Sequence, residues 1–185
     1  MRIRTIPIFL LVVITACTYK SNYRKAAEDV FEQIPDTKNL NAGKQEYRLD
    51  VPVGWTTRHQ MVYGIDYYFL SAPKTAADPN TNINVITERM QNLSLEVYVK
   101  KAIEQIKLSI PSAVILDEGI IETDSLKGAW YKYNMEPQGI KATLVSYIFP
   151  KDDVAYIITA GTQTKDADRY RNTFDRVARS FKFKD

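Results

Sequence analysis

Residues 126–149 read LKGAWYKYNMEPQGIKATLVSYIF, and the pattern of this stretch decides the fold. Two runs with strand character, 126–135 and 140–149, are separated only by Glu136-Pro137-Gln138-Gly139. A connection that short and polar joins antiparallel neighbours, because a parallel pair needs a crossover of a dozen residues or more. The runs at 113–122 and 154–161 extend the pattern on either side, and Lys151-Asp152-Asp153 supplies another tight turn. Four successive strands of this kind predict an antiparallel meander.

Helices flank this block. Ser94 can cap free backbone N–H groups and Glu96 lies in the first turn. Leu95, Tyr98, Val99, Ala102, Ile103 and Ile106 then form one apolar face, with Lys100, Lys101, Glu104 and Lys107 turned away and Pro111 closing the run. A second helix is expected over 165–180, where Tyr170, Phe174, Val177, Ala178 and Phe181 share a face. Upstream, Tyr47, Leu49 and Val51 alternate before a Pro52-Val53-Gly54 turn that delivers Trp55. Further strands are expected over 65–71 and 82–90. The order is three strands, a helix, four strands and a helix. Each amphipathic helix needs a sheet surface to cover, so the fold class is α+β, a central, mainly antiparallel sheet flanked by helices.

In order along the chain, Tyr47-Arg48-Leu49-Asp50-Val51-Pro52-Val53-Gly54-Trp55, the helix opening Ser94-Leu95-Glu96, the strands Ala129-Trp130-Tyr131 and Val154-Ala155-Tyr156-Ile157-Ile158, and the ending from Phe174 to Ser180-Phe181 resemble the PsbP-like and DcrB-like superfamily. The resemblance covers about residues 44–185. It implies an antiparallel sheet sandwiched by helices. Members include photosystem accessory proteins, a Ran-binding transport factor, secretion chaperones and envelope lipoproteins, so it implies binding without catalysis. It carries over no binding site residue by residue.

The N-terminus has the layout of a secretory signal: Met1-Arg2-Ile3-Arg4 is a positive start, and 6–14 is apolar apart from Pro7. The run is too short to span a membrane, which takes roughly 20 apolar residues. Ile14-Thr15-Ala16-Cys17 resembles the lipobox of bacterial lipoproteins, in which cleavage before the cysteine leaves it lipidated as the mature N-terminus. Cys17 is the chain's one cysteine, so no internal disulfide can form. Resemblance implies diacylglycerol and often a third acyl chain on Cys17, enough for stable anchoring where one chain holds only marginally. Thr18 stands where Asp would favour inner-membrane retention in enterobacterial lipoproteins. The expected address is therefore the cell envelope, at the outer membrane facing the periplasm in a cell with two membranes. Three segments follow: signal peptide 1–16, a tether with a short helix in 17–43, where Tyr23, Ala26, Ala27, Val30, Phe31 and Ile34 fall at helical spacing, and the domain 44–185. That domain is expected to fold without the tether.

Composition limits the chemistry. With residues 1–16 removed, 23 basic side chains face 22 acidic ones, and no basic stripe of the kind that neutralises nucleic-acid phosphates remains. Nucleic acid is not an expected partner. His59 is the only histidine, so no His/Cys zinc site can be assembled in the mature domain, and no nucleophile elbow, Walker loop or dinucleotide glycine motif appears. Asp117-Glu118, Asp152-Asp153 and Asp166 with Asp168 lack the spacing of a calcium loop and read as turn and helix-start acids. No catalytic residue, metal or cofactor is assigned.

The expected function is a non-enzymatic binding or assembly module, tethered to a membrane by lipid on Cys17, whose partner is an envelope protein or an apolar ligand. An envelope hydrolase using paired carboxylates is the alternative. Among twelve tyrosines and two tryptophans, Tyr67, Tyr68 and Trp130 are the candidate binding residues, since such rings combine apolar area with a polar tip. Tyr67 and Tyr68 are adjacent and must point to opposite faces of a strand, so one is expected to serve binding and the other stability.

Overall fold

The computed structural model describes residues 46–184 apart from Tyr63, Ala76, Ala77 and Pro79. The signal, the lipobox Ile14-Thr15-Ala16, Cys17 and the expected helix in the tether lie outside the described residues. Nine strands and two α-helices follow in the order β1 (Tyr47–Arg48), β2 (Thr56–Val62), β3 (Ile65–Ser71), β4 (Asn82–Arg89), α1 (Leu95–Ser109), β5 (Val114–Glu122), β6 (Lys127–Met135), β7 (Ala142–Lys151), β8 (Val154–Gln163), α2 (Ala167–Arg179) and β9 (Lys182–Phe183).

Seven strands form one antiparallel sheet in the order β2-β3-β4-β8-β7-β6-β5. The β5 to β8 meander runs as the short connections require. It begins at the far edge of the sheet, which α1 reaches from β4, and returns until β8 pairs with β4 from Asn82↔Gly161 to Arg89↔Val154. Ser94 accepts a hydrogen bond from the Val97 N–H at 3.3 Å and so caps α1. The helix buries Tyr98, Val99, Ala102, Ile103 and Ile106, the face its spacing predicts. This apolar stripe covers one side of the sheet, packing with Tyr67, Phe69, Ile86, Tyr131, Tyr133 and Ile157. The other helix, α2, sets Phe174, Val177 and Ala178 on the opposite side against Leu70, Val85, Tyr147, Ile158 and Phe149.

Two features depart from the sequence reading. The expected strand through Tyr47, Leu49 and Val51 contracts to Tyr47–Arg48, which pairs with β9 in a separate two-stranded ribbon. Pro52 and the turn closed by Trp55 N–H to Pro52 O, 3.0 Å, with Gly54 at φ +79, carry the chain away, and the Asp50 N–H donates to Ser180 Oγ at 2.9 Å. The first strand of the main sheet is instead β2, whose TTRHQMV sequence offers no apolar alternation. Edge strands keep polar side chains where one rim meets water, so burial leaves no imprint on β2 for pattern reading to find.

Pairing places one row of residues straight across the sheet: His59, Tyr68, Val85, Ile158, Tyr147, Trp130 and Gly119. Alternation puts them all on the α2 side. Tyr68 and Trp130 therefore share a face, separated by four strand spacings, roughly 19 Å. Helix α2 packs on β7 and β8 at the centre of this row. The two ends are left for other uses.

Candidate functional site

At the β5–β6 end, the sheet and α2 enclose a groove of about 420 Å³. Trp130, Tyr147 and Val145 lie on its floor, with Leu116, Asp117 and Lys132 toward the edge strand. Arg171, Phe174, Asp175 and Arg179 form the helix wall. Its shape follows from the placement of α2, which packs on β7 and β8 at the centre of the sheet. Gly119 on β5 stands directly opposite Trp130 in the register. A Cβ at Gly119 would come within 3.0 Å of the Trp130 Nε1, so the missing side chain is what lets the indole lie flat over β5.

The polar groups on the helix wall are organised. Arg171, Asp175 and Arg179 recur every four residues and so form one stripe on α2. The Tyr147 hydroxyl donates to Asp175 Oδ1. Burial first, then that bond and the charge of Asp175, push the Tyr147 phenol above its usual range, against an opposing pull from Arg179 and Arg171. Tyr147 therefore acts as a hydroxyl donor and not as a base. Arg179 Nη1 donates to the Glu122 carbonyl at 2.9 Å, which ties the end of α2 to β5. Asp117 Oδ1 accepts the Glu118 N–H at 2.9 Å. Two carboxylates thus line the groove beside three cations.

The opposite end of the row is filled. The half-buried Tyr68 packs with the His59 ring, centroids 4.8 Å apart, and with Tyr47 at 6.4 Å. His59 Nδ1 lies 3.4 Å from Asp66 Oδ1. Tyr67 is on the other side of the sheet, only 2 % exposed and stacked on Phe69 at 5.4 Å, and its burial pushes the phenol up to about 12. The structure thus separates the three candidate rings: Tyr67 in the α1 core, Tyr68 beneath the β1–β9 ribbon, and Trp130 half-buried in the groove. Tyr67 offers no surface to a partner.

Sequence reasoning singled out Trp130 but not its cationic neighbours. Two signals pointed to them. Lys132 is two residues from Trp130 and so shares its face, and the four-residue repeat of Arg171, Asp175 and Arg179 runs beside the apolar stripe of α2. Among the described residues no group of three His, Cys, Asp or Glu is gathered as a metal site would need, and no helix is long and apolar enough to cross a membrane.

A seven-stranded antiparallel sheet between two helices defines the α+β sandwich of PsbP-like proteins. Solved structures place the chain in that fold. LpqN, involved in cell envelope biogenesis of Mycobacterium tuberculosis, is similar at a TM-score of 0.60 with 12% identity, over 79% of this chain and 89% of that one. The cyanobacterial PsbP (CyanoP) of Synechocystis sp. PCC 6803 gives 0.56 with 15% identity over 75% and 86%. The Ran-binding protein Mog1p of Saccharomyces cerevisiae gives 0.55 with 11% identity over 79% and 94%. No family model and no curated protein sequence matches the chain.

Proposed function

We propose that this protein is a lipid-anchored, non-enzymatic binding or assembly module of the cell envelope, and that the Trp130 groove is its contact surface. One observation carries the reading. Trp130 lines a concavity whose volume falls in the range of small-ligand sites, whereas Tyr67 is buried in the α1 core and Tyr68 is packed against His59 and Tyr47. Support for the wider role comes from the similar structures, which include an envelope-biogenesis protein and a Ran-binding protein. The 44–185 segment would be the folded module and residues 17–43 its tether.

The hydrolase alternative has the two groove carboxylates in its favour. Asp175, however, is engaged by Tyr147, and three cations stand beside the pair. The one histidine, His59, is on β2 at the far edge of the sheet. Binding is the reading these groups support better.

Anchoring is tested by Cys17→Ser. Metabolic palmitate labelling and membrane fractionation should show loss of both label and membrane association, with the folded domain intact. Equal label in variant and parent would overturn the lipoprotein reading.

A further inference from the structure

We propose that the Trp130 groove takes an organic anion with an apolar body, such as an acyl or alkyl chain ending in a phosphate or carboxylate. This deepens the groove reading and rests on it. The first argument is charge: the groove carries a surplus of one positive charge, with Lys132, Arg171 and Arg179 set against Asp117 and Asp175. Lys132 and Arg171 line the groove without an ion-pair partner among the described residues, although Asp117 and Asp175 line it as well. Asp175 accepts the Tyr147 hydroxyl, which fixes the carboxylate in place without cancelling its charge. Arg179 donates through Nη1 to the Glu122 carbonyl, and a guanidinium has five N–H donors, so it keeps others for a ligand.

The second argument is where the charge sits in the molecule. The segment 165–184, which contains α2, holds seven Lys or Arg against three Asp, whereas 46–164 holds eleven against fourteen Asp or Glu. All seven cations are exposed. The groove thus opens beside the basic element of an otherwise acidic domain, and such a field favours anionic ligands. The third argument is the rest of the lining. Leu116, Val145 and Trp130 offer apolar surface next to the cations, backed by the buried Ile121 and Phe174. A bare inorganic anion would leave that surface unused, and a neutral hydrocarbon would leave the cations unanswered.

The test uses the full chain carrying Trp55→Phe, which leaves Trp130 as the only tryptophan reporter. Its fluorescence is followed on titration with decyl phosphate, decanol and inorganic phosphate, below the concentration at which the amphiphile forms micelles. Decyl phosphate should give a saturable change with a Kd at least tenfold below that for either other probe. Lys132→Gln with Arg171→Gln should remove most of that advantage, and circular dichroism should show both variants folded. If decanol binds as tightly as decyl phosphate, the groove reading stands and the anion proposal fails. If inorganic phosphate binds as tightly, the apolar body has no role and the proposal fails as well. If no probe changes Trp130 fluorescence, the groove takes no small amphiphile and the anion proposal fails, while the groove as a contact surface is judged by crosslinking at Lys132.

Discussion

At the scale of single residues, the polar side chains pinned between layers set how the fold responds to pH. Asp78, 3 % exposed, accepts from the Thr81 hydroxyl at 2.6 Å and from the Tyr170 hydroxyl at 2.6 Å, and so ties the 73–81 loop to α2. Burial pushes its carboxyl up, but the bonds from Thr81, Tyr170 and the backbone together outweigh it and hold the carboxyl below 3.8. Glu88 behaves oppositely. It faces α1 and accepts the Tyr98 hydroxyl at 2.6 Å, yet burial is the larger effect and its carboxyl is raised above 4.5. A carboxyl raised on folding favours the native state below its unfolded pKa, and that contribution is lost as pH rises through the folded value. Asp78 loses its contribution as pH falls, so the two must be separated by difference. Glu88→Gln keeps an acceptor for Tyr98 and removes the titration. Urea unfolding between pH 4 and 8 should show the variant gaining on the parent as pH rises through the Glu88 range, while a gap constant with pH would refute the assignment. The burial of Glu88 was not legible in sequence, because Thr87-Glu88-Arg89 reads as the polar end of a strand and only the packing of α1 encloses it.

At the scale of elements, close approach of strands matters more than propensity. Gly128 is the second residue of β6, and a Cβ there would meet the Ile148 carbonyl oxygen at 2.4 Å and Phe149 Cδ1 at 2.8 Å. The clash with backbone cannot be relieved by a rotamer change. Gly128→Ala should therefore destabilise by about 1–3 kcal/mol, the usual cost of overpacking, whereas Gly139→Ala meets no atom within 4 Å and strains only its φ of +79. Equal stability of Gly128→Ala and the parent in thermal unfolding would show that β6 and β7 sit farther apart than described. The two helices were legible because each buries a periodic apolar face, and the meander because short polar connections separate its runs. Strands β2 and β9 were not, since β2 is a polar edge and β9 is two residues long. Their pairing comes from what neighbouring strands and α2 leave open, which is information no local window holds.

At the scale of the whole molecule, the proposed recognition rests on an imbalance between the two sides of the sheet. On one side α1 seals a core that includes Tyr67; on the other α2 covers the centre and leaves Trp130 beside Lys132 and Arg171. Sequence alternation could say that Tyr67 and Tyr68 part company, and Trp130 was visible as a candidate. Which of the three meets solvent in a groove depended on where α2 packs, and that is a tertiary outcome. The proposed contact surface is the Trp130 groove, on the α2 side of the sheet. It is tested most directly by photo-crosslinking in the native cell envelope, with a photoreactive side chain placed at Lys132 in one chain and at Lys107 on the outer side of α1 in another. The account predicts a defined adduct from position 132 that Trp130→Ala abolishes without unfolding the domain, and none from position 107. Adducts of equal yield from both positions, or an adduct at 132 indifferent to Trp130→Ala, would contradict it.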